Sequence, residues 1–382
     1  MVWLCARKIF GYLVDSGFLL ACRYVVNLER AVCREADMVF NPVLVASRVQ
    51  KPQWYQRTAK YAQLNLHIAI RQLLNTLVPY FLLFALMVHL VRQGYPYWAV
   101  LTVSVPAAAL FVRIFILFHD CTHGSFLPSP RWNKRIGYFC GILTFTSFLD
   151  WRRSHAGHHI TSGDLDRRGI GDITTMTVEE YLAAPPLRRL YYRLYRHPLI
   201  MFGLGPGYYF LLRNRWPSAG APRQDVHSVL ITNLGIVAIA GVATLTIGFK
   251  TYLLIQLPVL LIAATFGVWL FYIQHQFQGV YWARHADWDP WRAAVEGASY
   301  YKMPKILQWL TGNIGFHHVH HARPGIPNYH LQQCYDETPE LQAVKPVTMA
   351  TSLKSLGFKL WDEERRQLVS FSSLKGRRTP AV

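Results

Sequence analysis

The chain of 382 residues is 52% apolar and 14% aromatic yet only 16% charged, where a soluble domain averages about 25% charged residues. Its mean hydropathy of +0.14 leaves more apolar surface than one soluble core hides. The net charge of +19 would suit nucleic acid, but the reading modules of such domains are absent, and charge collected beside long apolar runs fits an anionic inner leaflet.

Residues 1–50 read as an N-terminal extension of unspecified structure. Arg7 and Lys8 precede a run from Ile9 to Val26 that imitates a signal peptide, but Asp15 and Arg23 interrupt it and no small-x-small site follows. An amphipathic or poorly ordered extension is expected, with Met38 as an alternative start. Tyr55 to Leu74 reads as an interfacial helix, setting Tyr61, Leu64, Ile68 and Leu73 against Lys60, Arg71 and Gln72. Leu74 to Val91 is an 18-residue apolar run, long enough to cross a bilayer core. Tyr97 to Phe118 returns across it, carrying Arg113, which is expected to snorkel to the interface.

Ile136 to Leu149 is too short to span and is expected at the interface. So is Leu199 to Leu212, whose Gly203, Gly205 and Gly207 imitate a phosphate loop but follow no strand and are interrupted by Pro206. Val229 to Ile247 and Tyr252 to Ile273 form a second hairpin. The loop between the hairpins carries fourteen Lys or Arg from Arg131 to Arg223, against Arg92 and Lys250 in the two short turns; this bias places the loop and both termini in the cytoplasm. The expected fold is an all-α integral membrane protein, with four transmembrane helices as two hairpins (about 74–91, 97–118, 229–247 and 252–273), interfacial helices and a cytoplasmic histidine-rich helical cap. Residues 51–345 would form the membrane domain and 346–382 a basic tail, with Lys375–Arg378 unstructured and drawn to lipid headgroups.

Nine of the sixteen histidines fall in three clusters: His119-Asp120-Cys121-Thr122-His123, His155-Ala156-Gly157-His158-His159, and His317-His318-Val319-His320-His321. Residues three and four apart share a helix face, so His119 and His123, then His155, His158 and His159, then His317, His320 and His321 each converge. One zinc takes four ligands, and imidazole suits iron, copper, nickel and zinc alike; eight nitrogens fit a two-metal centre. His275, at the end of the fourth span, stands where a ninth ligand would, or is an ordinary helix-end histidine. Asp120, Asp150, Asp164 and Asp172 are placed either to orient imidazoles or to serve as surface and capping groups. The six cysteines, Cys5, Cys22, Cys33, Cys121, Cys140 and Cys334, make no CxxC pair, which argues for a reducing compartment, and Cys121 reads as a packing residue. A metal transporter would carry its ligands within the spans, and a zinc hydrolase would show HExxH; neither pattern occurs.

The motifs HDCTH, HAGHH and HHVHH, in this order around two hairpins, resemble the three histidine boxes of the integral-membrane fatty acid desaturases over roughly residues 50–345. The likeness is closest to bacterial acyl-lipid desaturases of the omega-6 (delta-12) type, through Trp151-Arg152-Arg153-Ser154-His155, Gly169-Ile170-Gly171-Asp172-Ile173 and the run from Tyr281 to Pro327. It implies a di-iron enzyme of a bacterial inner membrane that uses O2 and two electrons to remove two hydrogens from adjacent carbons of an acyl chain, carried on a lipid or a thioester. The implied metal ligands are His119, His123, His155, His158, His159, His317, His320 and His321, with His275 as the family's extra histidine and no catalytic side chain beyond them. Where relatives place a water-holding asparagine one turn before that histidine, this chain has Phe271, and Asn313 is a candidate for a similar part. His318 permits a shifted register in the third box, although only the other three histidines give HxxHH. Flavin, haem and ferredoxin motifs are absent, so electrons would come from a separate ferredoxin or cytochrome b5-type donor. A related membrane di-iron lipid or carotenoid hydroxylase is the nearest alternative.

Overall fold

The computed structural model describes residues 50–374, in which Lys51–Trp216 and the chain from Arg223 onward form one compact unit. The expectations for residues 1–49 and for Lys375–Arg378 lie outside the described residues.

The single interfacial helix expected over Tyr55–Leu74 is broken. Short helical turns over Gln53–Arg57 and Thr58–Ala62 end before an extended residue, Asn65. The Asn65 side chain accepts the Ile68 N–H at 3.1 Å, so a new capped helix, α1 (Leu66–Arg92), begins there. Gly94 turns the chain at φ +71° into α2 (Tyr97–His123). Next come α3 (Pro130–Leu143), which Ser129 caps, α4 (Phe148–Thr161) and α5 (Pro186–Tyr195). The glycine-rich stretch forms a π-helical turn over Leu199–Leu204 followed by α6 (Gly205–Leu211), a kinked segment that leaves Leu199, Leu204 and Tyr208 exposed. The second hairpin is α7 (Arg223–Ile247) and α8 (Phe249–His275). Shorter helices follow, among them α9 (Lys305–Leu310), α10 (His317–Ala322) and α11 (Asn328–Asp336).

Helices α1, α2, α7 and α8 are each long and apolar enough to cross a membrane, and each extends a few residues beyond its apolar run. α2 is the axis. Its residues from Leu110 to Phe118 are buried almost without interruption, against Ala69, Tyr80 and Met87 of α1 and Ile255, Val259, Leu260 and Ala263 of α8. α7 instead exposes Leu230, Leu234, Val237, Val242 and Leu245, a continuous apolar face too large for water and suited to acyl chains.

Arg113 turns inward rather than snorkelling. It is 2% exposed, and its Nε donates to Thr76 Oγ1 of α1 at 2.9 Å. A second arm donates to the Trp309 carbonyl, and the guanidinium lies 4.2 Å from the Trp309 ring centroid. Trp309 is in the last turn of α9, where the dipole favours a cation, and its carbonyl accepts the guanidinium as well as the Gly312 N–H at 3.0 Å; that combination outcompetes the interface.

Among the described residues, five two- or three-residue strands tie together the chain outside the four long helices: β1 (Met176–Thr177), β2 (Tyr301–Lys302), β3 (Val347–Thr348), β4 (Leu360–Asp362) and β5 (Gln367–Val369). β4 pairs in parallel with β1 and antiparallel with β5, while β2 and β3 pair in parallel. The stretch 346–374 is thus folded onto the membrane domain, with Trp361 buried in its core.

Candidate metal centre

Each histidine cluster occupies the end of a helix at one end of the bundle. α2 stops at Gly124, which takes the left-handed conformation at φ +69° that glycine accepts without a Cβ penalty. His119 and His123 therefore lie in its final turn. The second cluster occupies the last two turns of α4, and His275 is the last residue of α8. The third is carried on the six-residue α10, reached through Gly312 and Asn313, both left-handed at φ +54° and +57°. A Cβ on Gly312 would stand 2.8 Å from Ile116 of α2, so a larger residue would hold the loop away from α2.

The structure brings all nine histidines into two groups. His119, His123, His155, His159 and His320 form the first; His158, His275, His317 and His321 form the second. In each group the ligand atoms lie within 4.8 Å of one another. The Nε2 atoms of His155 and His159 are 3.1 Å apart, as are those of His159 and His320. In the second group His158–His275, His275–His317 and His317–His321 are each separated by 3.0 Å.

The His158–His275 contact is not a hydrogen bond. His158 Nδ1 meets the Asp172 carboxylate and His275 Nδ1 lies 3.1 Å from the Gly297 carbonyl. An ionised carboxylate and a carbonyl only accept, so both Nδ1 atoms carry the proton, and the two Nε2 atoms face each other as bare lone pairs at 3.0 Å. Lone pairs this close repel unless a cation lies between them. His123 Nε2 is buried with no hydrogen-bond partner, a state that costs about 1–3 kcal/mol unless something coordinates it. Burial, and after it the neighbouring imidazoles, hold His155, His159, His317, His320 and His321 well below the ordinary histidine range. They are neutral at pH 7, the form that binds metal. Nitrogens about 2.1 Å from one ion stand about 3.0 Å apart at right angles and about 3.4 Å apart at the tetrahedral angle. The closest nitrogens, at 3.0–3.1 Å, are near enough to share one ion.

Around this shell, Asp120 Oδ1 accepts from His119 Nδ1 at 3.1 Å, and the Trp151 ring stacks on His155 at 4.3 Å. Phe271 packs against His158 and His275 at 5.2 and 5.5 Å between centroids, sealing the second group with an apolar ring. Asn313 joins neither group, because its amide donates to the Asn328 carbonyl at 2.9 Å. His318 points away, its Nε2 donating to the Leu341 carbonyl at 3.0 Å, and burial pushes it down to about 4; the HxxHH register is the one that converges. Asp164 accepts from Arg167 and His285, and Asp150 pairs with Arg153. Sequence reasoning missed the Gly297 carbonyl and Asn328, which carry no motif of their own.

Four spans surmounted by two groups of buried imidazoles able to hold metal define an integral-membrane protein with the site of a metalloenzyme. The sequence model of the fatty acid desaturase family matches residues 95–351. A fatty acid desaturase of Bacillus subtilis (strain 168) is 46% identical over 326 residues, covering 85% of this chain and 92% of that protein. The sn-1 acyl-lipid omega-3 desaturase (ferredoxin) of Nostoc sp. (strain 36) is 26% identical, over 62% of this chain and 65% of its own length. The sn-1 oleoyl-lipid 12-desaturase of Synechocystis sp. is 25% identical, over 59% and 64% respectively. The chain belongs to the fatty acid desaturase family and is a membrane fatty acid desaturase.

Proposed function

We propose that the two histidine groups hold two iron ions, and that the enzyme introduces a double bond at the omega-6 (delta-12) position of a lipid-linked acyl chain. The observation that carries the metal assignment is the pair of facing Nε2 lone pairs of His158 and His275 at 3.0 Å, set within a five-and-four arrangement of nine imidazoles. Nine imidazoles exceed the four ligands of one zinc, and imidazole suits iron. The acyl-lipid substrate and the position are supported by the motif likeness and by the 12-desaturase of Synechocystis; a ferredoxin-type donor is supported by the name of the Nostoc relative.

The overall change would be –CH2–CH2– + O2 + 2 e⁻ + 2 H⁺ → –CH=CH– + 2 H2O. Iron supplies the oxidising power that an unactivated methylene demands, since such a carbon offers no acidic proton. The protein's part is positioning. Asp172 and the Gly297 carbonyl hold the Nδ1 protons of His158 and His275, which fixes each ring and aims its Nε2 inward. Trp151 and Phe271 cover the two groups with aromatic faces and limit water. The basic loop, fourteen cations from Arg131 to Arg223, supports a cytoplasmic site on a bacterial inner membrane and an anionic headgroup near it.

The test is expression in a bacterium lacking desaturases, followed by gas chromatography–mass spectrometry of its fatty acids beside a His158→Ala control. A delta-12 unsaturated acid that disappears in the control is expected. A hydroxylated acid would replace this reading with the lipid hydroxylase, and a double bond elsewhere would overturn the position.

A further inference from the structure

We propose that Asn328 and Gln72 are positioning residues for the first metal group, acting through Asp120 on His119; this rests on the two-iron reading above. Asp120 is 1% exposed and no Lys or Arg pairs with it among the described residues. A buried carboxylate without a cation is stable only when its oxygens are saturated with donors. One oxygen takes His119 Nδ1. The other takes two N–H groups from a single residue, the Asn328 main-chain N and side-chain Nδ2, each at 2.8 Å. That two-point grip fixes the carboxylate plane, and with it the direction of the His119 ring.

The amide of Asn328 is itself fixed from behind. With Nδ2 committed to Asp120, Oδ1 faces α1 and accepts from Gln72 Nε2 at 2.8 Å. This settles the orientation of both amides, because a flip of either would set oxygen against oxygen. Gln72 keeps this donor in place although its own Oε1 is buried without a partner, so the orientation is held against a local cost. Chained donors strengthen one another, making the Gln72 amide part of the grip on Asp120. Asn328 also accepts, at its carbonyl, from Asn313 in the turn that leads into the third box. A residue without any metal-ligand chemistry thus ties a membrane helix, the first box and the approach to the third.

The test uses the purified full-length, iron-loaded protein. Iron is counted by inductively coupled plasma mass spectrometry during challenge with a chelator, and Mössbauer spectra report which site empties. Wild type should start at about two irons per chain. Asn328→Ala should release the iron of the first group about ten- to a hundredfold faster, the usual effect of losing an orienting partner, and pause near one iron per chain. Gln72→Met, which keeps volume and loses the donor, should shift the same site by a smaller factor. Wild-type release from both variants, or equal loss from both groups, would overturn the proposal. A wild type holding no iron would overturn the two-iron reading itself.

Discussion

Asp172→Asn isolates the charge of the group that orients His158. The substitution keeps an oxygen facing His158 Nδ1 but replaces a charge-assisted hydrogen bond, about 1.5–3 kcal/mol, with a neutral one of about 0.5–1.5. Asp172 is only 11% exposed at its side chain, so little of the difference is lost to solvent screening. A loss of about 1–1.5 kcal/mol corresponds to roughly a five- to tenfold weaker hold on metal. Asp172→Ala removes the acceptor and frees the imidazole to change tautomer, extending the loss toward a hundredfold. Competition with a chromogenic chelator reads both, and the iron released should come from the second group. Equal iron retention in wild type and both variants, or release from the first group, would refute the argument from Nδ1 protonation on which the lone-pair contact rests.

His318→Leu should keep two irons per chain while destabilising the fold by about 1–3 kcal/mol, since the Leu341 carbonyl loses its donor; iron content and thermal unfolding separate the two effects. Gly124→Ala places a Cβ in a left-handed residue at a cost of about 1–2 kcal/mol, and should lower the melting temperature with partial loss of iron as the last turn of α2 shifts. Metal-free protein should lose stability as pH falls below about 6.5, because the unfolded chain takes up protons there that the five buried histidines with lowered affinity refuse. The slope approaches about 1.4 kcal/mol per pH unit for each such histidine; denaturant titrations at pH 7 and pH 5 measure it, and equal stability at both would contradict the assigned neutral forms.

The four spans were legible because apolar runs of bilayer length have few other uses, and eight of the converging histidines because their spacing follows the helical repeat; His275 stands alone in the sequence, and only its place at the end of the fourth span and the family likeness pointed to it. Their division between two groups was not legible. His158 and His159 are neighbours in the chain but point about 100° apart on α4, so one box serves both groups; which group each serves depends on how α2, α4, α8 and α10 cross. The start of α1 was missed because Asn65 offers a local cap that outweighs the continuous amphipathic pattern around it. Arg113 was misplaced because its partners, Thr76 and the Trp309 carbonyl, come from a second span and a helix 196 residues away. The grip of Asn328 on Asp120 bridges 208 residues, and nothing local to either residue announces it.

On the two-iron reading, each histidine group holds one iron. Mössbauer spectroscopy of the iron-57-loaded enzyme, beside His123→Ala and His275→Ala, tests it most directly. Two irons per chain in distinct environments are expected, with His123→Ala weakening the signal of one and His275→Ala that of the other. A single iron per chain, or both signals falling together in either variant, would contradict the claim.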